Sequence, residues 1–213
     1  MSAIAGALHR KFVLGRRARI LAGHLCRFLP PNARVLDVGS GDGAIDALIQ
    51  KQRPDVSLVG MDVLVRPSAL VPVHSFDGVT IPYAAQSFDV VMFVDVLHHT
   101  IDPLVLLREG ARVGKSILIK DHFRDGFLAG FTLRLMDCAG NAHHGAVPPC
   151  SYWQEAQWRD AFSSLDLEAR ESIASLGLYP SVVAWIFERH LHFITVIEPK
   201  AMINSVSLPP EKA

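Results

Sequence analysis

Residues 35–43 read Val-Leu-Asp-Val-Gly-Ser-Gly-Asp-Gly, which places Gly39, Gly41 and Gly43 at alternate positions after Asp37, with Ser40 between the first two. Glycines in that pattern permit backbone angles and a close ligand approach that a side chain would block. In nucleotide-binding α/β sheets such a turn crosses beneath the ligand at the carboxyl end of a strand. Asp37 then stands where it accepts a hydrogen bond from a cationic group or pairs with it. Gly39, Gly41 and Ala44 also satisfy the loose Gly-x-Gly-x-x-Gly/Ala form of dinucleotide sites, so a nicotinamide cofactor is the rival reading. A diphosphate held over the helix N-terminus would, however, be repelled by Asp37 and Asp42. No Gly-Lys-Ser/Thr follows, which excludes a triphosphate-binding loop.

Further acids and histidines fall where strands should end. Asp62 and Val63 lie about 20 residues beyond the turn, the place where an acid takes both hydroxyls of a ribose. Asp77 and Gly78 follow a short strand; the carboxylate there suits the exocyclic amine of an adenine, or simply closes a turn. His98 and His99 follow one apolar run, and Asp121 and His122 another. Histidine titrates near neutral pH, so His99, His122 and Asp121 are the candidates for moving a proton. No Tyr-x-x-x-Lys pair of the kind that would support a nicotinamide oxidoreductase is present.

The elements that position these groups follow from the apolar pattern. Short continuous apolar runs alternate with amphipathic stretches, the rhythm of βαβ units. Strands are predicted at 34–38, 56–63, 73–76, 88–96, 116–120, 167–175 and 191–198. The run at 88–96 lacks alternation, as a central parallel strand covered on both faces should. Helices are predicted at 44–52, where Ile45, Leu48 and Ile49 share a face, at 152–162, and after Asp102, which caps a helix carrying Pro103 in its first turn. Residues 123–151 read as an insertion over the sheet edge, and the tail after Pro199 as frayed. The expectation is one domain over residues 1–213, with 1–30 a basic helical lid and 200–213 the tail.

These motifs resemble those of class I S-adenosylmethionine-dependent methyltransferases, in the broad group that includes quinone and other small-molecule enzymes. The match covers roughly residues 34–122. It comprises the 35–43 turn, Asp62, Ile81-Pro82-Tyr83 before Ser87-Phe88-Asp89-Val90-Val91, and Asp95-Val96-Leu97-His98-His99. The resemblance implies an α/β, Rossmann-like doubly wound sheet of seven strands, mostly parallel with the last antiparallel, and helices on both faces. It implies S-adenosyl-L-methionine as cofactor and S-adenosyl-L-homocysteine as product. Asp37 and the glycine turn (Gly39, Ser40, Gly41, Gly43) would hold the methionine part, Asp62 and Val63 the ribose, Asp77 and Gly78 the adenine, and Asp95 and Val96 the cofactor's far side. A ligand bearing a sulfonium and an ammonium, and no phosphate, also suits the acidic turn. His98 would shape the pocket, while His143, His144, Tyr152 and Trp153 of the insertion and its border would line or lid the acceptor site, since loops over strand ends carry specificity. The histidines show no ligand spacing on a defined element, so no metal is expected. The acceptor would be a small apolar or aromatic molecule; the alternatives are the nicotinamide oxidoreductase and a non-catalytic, cofactor-binding relative.

Composition bounds the partners. The 21 Lys and Arg balance 21 Asp and Glu, which leaves no basic excess to favour nucleic acid. The balance is uneven: no acid precedes Asp37, whereas Arg10, Lys11, Arg16, Arg17, Arg19, Arg27 and Arg34 all do. That segment reads as helices closing the pocket, or as a peripheral contact with anionic lipid, or as an organelle transit peptide. The opening residues lack the order of a secretory signal, and Cys26, Cys138 and Cys150 form no CxxC. Reduced thiols in the cytoplasm are the expectation. The oligomeric state is not legible.

Overall fold

The computed structural model describes residues 15–141 and 151–200. His143 and His144, the segment 1–14 and the tail from 201 lie outside the described residues. The described chain runs through α1 (Gly15–Phe28), β1 (Arg34–Val38), α2 (Ala44–Gln52), β2 (Ser57–Asp62), β3 (Val73–Ser75), β4 (Phe88–Val94), a single 3-10 turn (Leu97–His99), α3 (Pro103–Val113), β5 (Gly114–His122), α4 (Ala129–Asn141), α5 (Glu155–Ser164), β6 (Leu167–Ile173), α6 (Ser181–Phe187) and β7 (His192–Pro199). The strands form one sheet in the order β3-β2-β1-β4-β5-β7-β6. β1 to β5 run parallel to one another, and β7 is antiparallel to both β5 and β6. The expected sheet is therefore present, reversed strand included.

β4 shows why the sheet needs helices on both faces. Successive side chains of a strand point to opposite sides. Val91 and Phe93 join the apolar cluster that holds Leu106 and Leu107 of α3 and Trp158 and Phe162 of α5. Val90, Met92 and Val94 join the cluster that holds Leu21 and Leu25 of α1 and Ile49 of α2. The helix start at α3 is as expected: Asp102 Oδ1 accepts the Leu104 backbone N–H at 2.9 Å, with Pro103 in the first turn.

The elements depart from expectation chiefly in three places. α5 begins at Glu155 and not at 152, because Gln154 and Gln157 form a reciprocal capping box that fixes its first turn. β5 extends to His122, because β7 pairs with it as far as His122↔His192. α6 was not anticipated; at seven residues it is short and, after Ser181, apolar on every side, so no amphipathic stripe marks it as a helix.

The basic segment, where described, is a packed helix. Leu21, Ala22 and Leu25 of α1 are buried. Arg53 donates to the carbonyls of Cys26, Leu29 and Pro30, which supplies partners at the carboxyl end of the helix. Arg16 donates to the carbonyl of Leu178 at 2.7 Å. Because α1 completes one face of the core, Leu25→Ala should cost about 2 to 5 kcal/mol of stability in denaturant unfolding. A loss below about 1 kcal/mol would mean that the helix packs only loosely.

Candidate active site

The turn after β1 is built as the sequence suggests. The backbone N–H groups of Gly39 and Ser40 both donate to the Met61 carbonyl at the end of β2, at 2.7 and 3.1 Å. Gly39 has φ +85°, and a Cβ there would lie 2.3 Å from Val96 Cγ2, so Val96 closes directly over the turn. Gly41 has φ +62° and open space where a Cβ would stand. The first glycine is required by packing and the second leaves room for a ligand. Asp62 braces the turn, accepting from Gly41 N through Oδ2 and from Leu64 N through Oδ1, each at 2.9 Å.

Asp37, at the end of β1, is buried, and its Oδ1 has no hydrogen-bond partner among the described residues; the same holds for the buried Oγ of Ser40. Burial and the neighbouring Asp46 raise the Asp37 carboxyl well above the usual carboxylate range. Asp46, buried on α2, is pushed up by burial to about 6. Asp77 Oδ1 accepts from Val79 N and Thr80 N at 2.8 and 2.7 Å, so this acid does close a turn. Gly78, with φ +80°, lies against Val63, and Val63, Leu64 and Val79 are left exposed beside it.

At the carboxyl ends of β4 and β5 lies a half-buried ionic cluster. Asp95, in the left-handed backbone region at φ 57°, pairs with Arg17 of α1 at 2.5 Å and with the fully buried ammonium of Lys120. Burial opposes ionisation of Asp95, but Lys120 and Arg17 outweigh it and hold the carboxyl well below its ordinary value. Lys120 also donates to Nδ1 of His192 at 3.3 Å, and Nε2 of that ring donates to the Phe187 carbonyl at 2.9 Å. Burial and Lys120 lower His122 to about 4, and they hold His192 well below its ordinary value.

Asp121 and His98 form the next layer. Asp121 Oδ1 meets His98 Nδ1 at 2.6 Å, accepts the His122 backbone N–H at 2.8 Å and lies 3.2 Å from His122 Nδ1. His98 is buried, and its ring stacks on Tyr152 with centroids 5.2 Å apart. Burial works against an imidazolium at His98, yet Asp121, Asp137 and Asp95 prevail and raise it to about 10. The Tyr152 hydroxyl donates to Asp137 of α4. His99 stands half-buried beside His98, with ring centroids 4.0 Å apart, and burial with His98 lowers its pKa.

The sequence-predicted residues thus divide. Asp37, Gly39, Ser40, Gly41, Gly43, Asp62, Val96 and, at the far edge, Val63, Asp77 and Gly78 lie together at the carboxyl ends of β1 to β4. His98, His99, Asp121, His122 and Tyr152 come together next to it. Asp95 belongs to the ionic cluster, its carboxylate taken by Arg17 and Lys120. Trp153 packs edge-on against Trp158, with centroids 5.0 Å apart, as part of the apolar core border. Arg17, Lys120, Asp137 and His192 escaped the sequence reading. Only Lys120 carried a visible signal, a cation inside the apolar run of β5.

The strand order with β7 reversed, together with an acidic glycine turn at the crossover between β1 and β4, defines a class I S-adenosylmethionine-dependent methyltransferase fold. The chain belongs to the methyltransferase-domain family, whose model it matches over residues 13–172. A ubiquinone biosynthesis O-methyltransferase of Hahella chejuensis is 33% identical over a stretch covering 40% of each protein. The chain thus spans about 40% of the length of the curated relatives it matches. A chain of the complex formed by the Haloferax volcanii Trm112 methyltransferase activator superposes with TM-score 0.66 at 17% identity, over 92% of this chain and 95% of the other. An S-adenosylmethionine-dependent methyltransferase of Aquifex aeolicus superposes with TM-score 0.58 at 16% identity, over 85% and 92% of the two chains.

The cofactor of this class fits the residues present. The unpartnered oxygens of Asp37 and Ser40 want donors, the space over Gly41 is open, and bare apolar side chains flank Asp77. The raised carboxyls of Asp37 and Asp46 give the cleft a pH signature. Asp46 takes up a proton as pH falls through about 6, and Asp37, raised well above its ordinary value by burial and by Asp46, is likewise held toward its neutral form, which lacks the charge that would hold an ammonium. S-adenosylhomocysteine affinity, measured by calorimetry, should therefore rise with increasing pH, with release of a proton on binding. Asp46→Asn should shift that rise to lower pH by relieving the repulsion on Asp37. Gly39→Ala should weaken the same affinity at least about tenfold, since the new methyl displaces Val96 from a packed site.

Proposed function

We propose that the protein methylates a small apolar or aromatic acceptor at an O, N or C atom, with S-adenosylmethionine as donor. The observation that carries this reading is the cluster of buried, unpartnered oxygens at the glycine turn, in a family whose members share that turn as a cofactor site. S-adenosylmethionine supplies a methyl group on a sulfonium, a leaving group already activated. The chain's own part is then placement and exclusion of water, which in well-oriented reactions is worth about 7 to 11 kcal/mol.

Asp37, Ser40 and the glycine turn bind the amino-acid end, Asp62 the ribose and the Val63–Asp77–Gly78 edge the adenine. Asp62 retains free acceptor capacity on both oxygens while it braces the turn. Of the three groups expected to take a proton from the acceptor, Asp121 has its carboxylate bound to His98 and to backbone, and His122 is enclosed by Lys120 and Asp121. His99 is the one left to meet an acceptor, beside the ring of His98. The ubiquinone biosynthesis O-methyltransferases among its relatives favour oxygen as the accepting atom.

Asp62→Ala should lower S-adenosylhomocysteine affinity in calorimetry by at least about tenfold, the loss of a charge-assisted bond. No binding of the cofactor product by the unaltered protein, or tighter binding of NAD, would overturn the reading. His99→Ala should leave that affinity within about twofold while lowering turnover of a phenolic acceptor by about 10² to 10⁴.

A further inference from the structure

The described residues hold a buried set of donors that the cofactor site does not use. Nε2 of His98 and Nδ1 of His99 are both buried and without a hydrogen-bond partner. Together with the carboxylate of Asp137 they present three ligand atoms within 4.8 Å of one another. His98 Nε2 lies 3.6 Å from Asp137 Oδ2, too long for a hydrogen bond. His98 Nε2 faces the Asp137 carboxylate as an ion pair at 3.6 Å, and Nδ1 of His99 has no hydrogen-bond partner among the described residues, so a metal ion entering here would displace the Nε2 proton of His98.

We infer that His98, His99 and Asp137 form a binding site for a divalent first-row transition metal ion of the zinc type. The support behind the ligands is what such a site requires. A metal-bound imidazole commonly donates its other ring N–H to a carboxylate, which fixes the ring and its tautomer. His98 does so through Nδ1, at 2.6 Å from Asp121 Oδ1. Asp137 is oriented in turn by the hydroxyl of Tyr152, whose ring stacks on His98. Zinc bonds of about 2.0 to 2.2 Å in a tetrahedron put ligand atoms about 3.4 Å apart. The His98–Asp137 separation of 3.6 Å already meets this, and His99 offers a ring nitrogen within 4.8 Å of both. Two imidazoles and one carboxylate suit zinc or its neighbours better than magnesium or calcium, which prefer oxygen alone.

A second cluster, His98, Asp121 and His122, shares one ring with the first. Its Asp121 is already committed to His98 and to the His122 backbone, which makes it the support and not the ligand. Three protein ligands leave a fourth position open, as in catalytic zinc sites. An acceptor hydroxyl bound there would lose its proton more readily, and the turnover loss expected of His99→Ala would then reflect a lost ligand and not a lost base. That last use rests on the methyltransferase reading, whereas the metal site itself does not. Spacing in the sequence hides the site because Asp137 comes from α4, across the sheet end from the His98–His99 turn.

The test is metal binding by the full chain, stripped with a chelator and titrated with zinc in equilibrium dialysis and with cobalt(II) in visible absorption. The expected result is one ion per chain and a cobalt spectrum of low coordination number. His99→Ala and Asp137→Ala should each weaken binding at least about tenfold, and Asp121→Asn by about 10 to 100-fold. Unchanged S-adenosylhomocysteine affinity in the first two variants shows that they fold. No stoichiometric ion, or an ion held equally well by both folded variants, overturns the site. Metal binding without any affinity for S-adenosylhomocysteine would sink the methyltransferase reading and leave the metal site standing.

Discussion

The carboxylate of Asp95 is the point through which the structure is held together at its functional end. It ends the central strand, and it is shared by a cation from α1 and a cation from β5. Burying such charges is costly, and removing one partner of a buried pair typically costs about 3 to 5 kcal/mol because the other is stranded. Positive charge on Arg17, Lys120 and the raised His98 faces negative charge on Asp95, Asp121 and Asp137. The set is balanced, so each member fixes the position of the next. Replacement by apolar side chains could yield equal stability. It would not hold the rings of His98 and His99 in register with the cleft.

The cleft divides into halves that obey different rules. On the side of the glycine turn, backbone dominates: close packing of Val96 on Gly39 and two N–H groups on one carbonyl leave side-chain oxygens free for a ligand. On the side of the histidines, side chains are mostly bonded to one another; among the described residues Arg17 Nε, His98 Nε2 and His99 Nδ1 are buried without a hydrogen bond. The first half is general and suits the cofactor shared by a superfamily. The second rests on side-chain bonds between distant segments, among them Asp121 to His98 and Tyr152 to Asp137.

That division also explains what the sequence disclosed. The 34–38 strand and the 44–52 helix are predicted to the residue, because an apolar strand, a glycine turn and an amphipathic helix are local patterns. The unalternating run at β4 announced a strand covered on both faces. Contacts between distant segments left no such trace. Asp137 looks like a solvated acid on an amphipathic helix until α4 is laid beside His98 and Tyr152. Arg17 is one arginine in a basic stretch until α1 is packed and its neighbour Arg16 turns to the Leu178 carbonyl. Asp121 and His122 drew notice as polar residues at a strand end, but β7 encloses them, and only the antiparallel pairing to His192 reveals it.

The place of β7 has a consequence for how the molecule is made. It lies between β5 and β6, so the strand synthesised last of the seven enters the middle of the half-sheet and does not add at its edge. Until it does, one flank of β5 is open, and Lys120 lacks the ring of His192. Domains fold during synthesis only as far as the emerged chain allows. The nascent protein can form its cofactor turn early, but its buried charges stay wet until the final strand leaves the ribosome. Vectorial synthesis therefore keeps the histidine chamber open to water, and to ions, until translation of the sheet is complete.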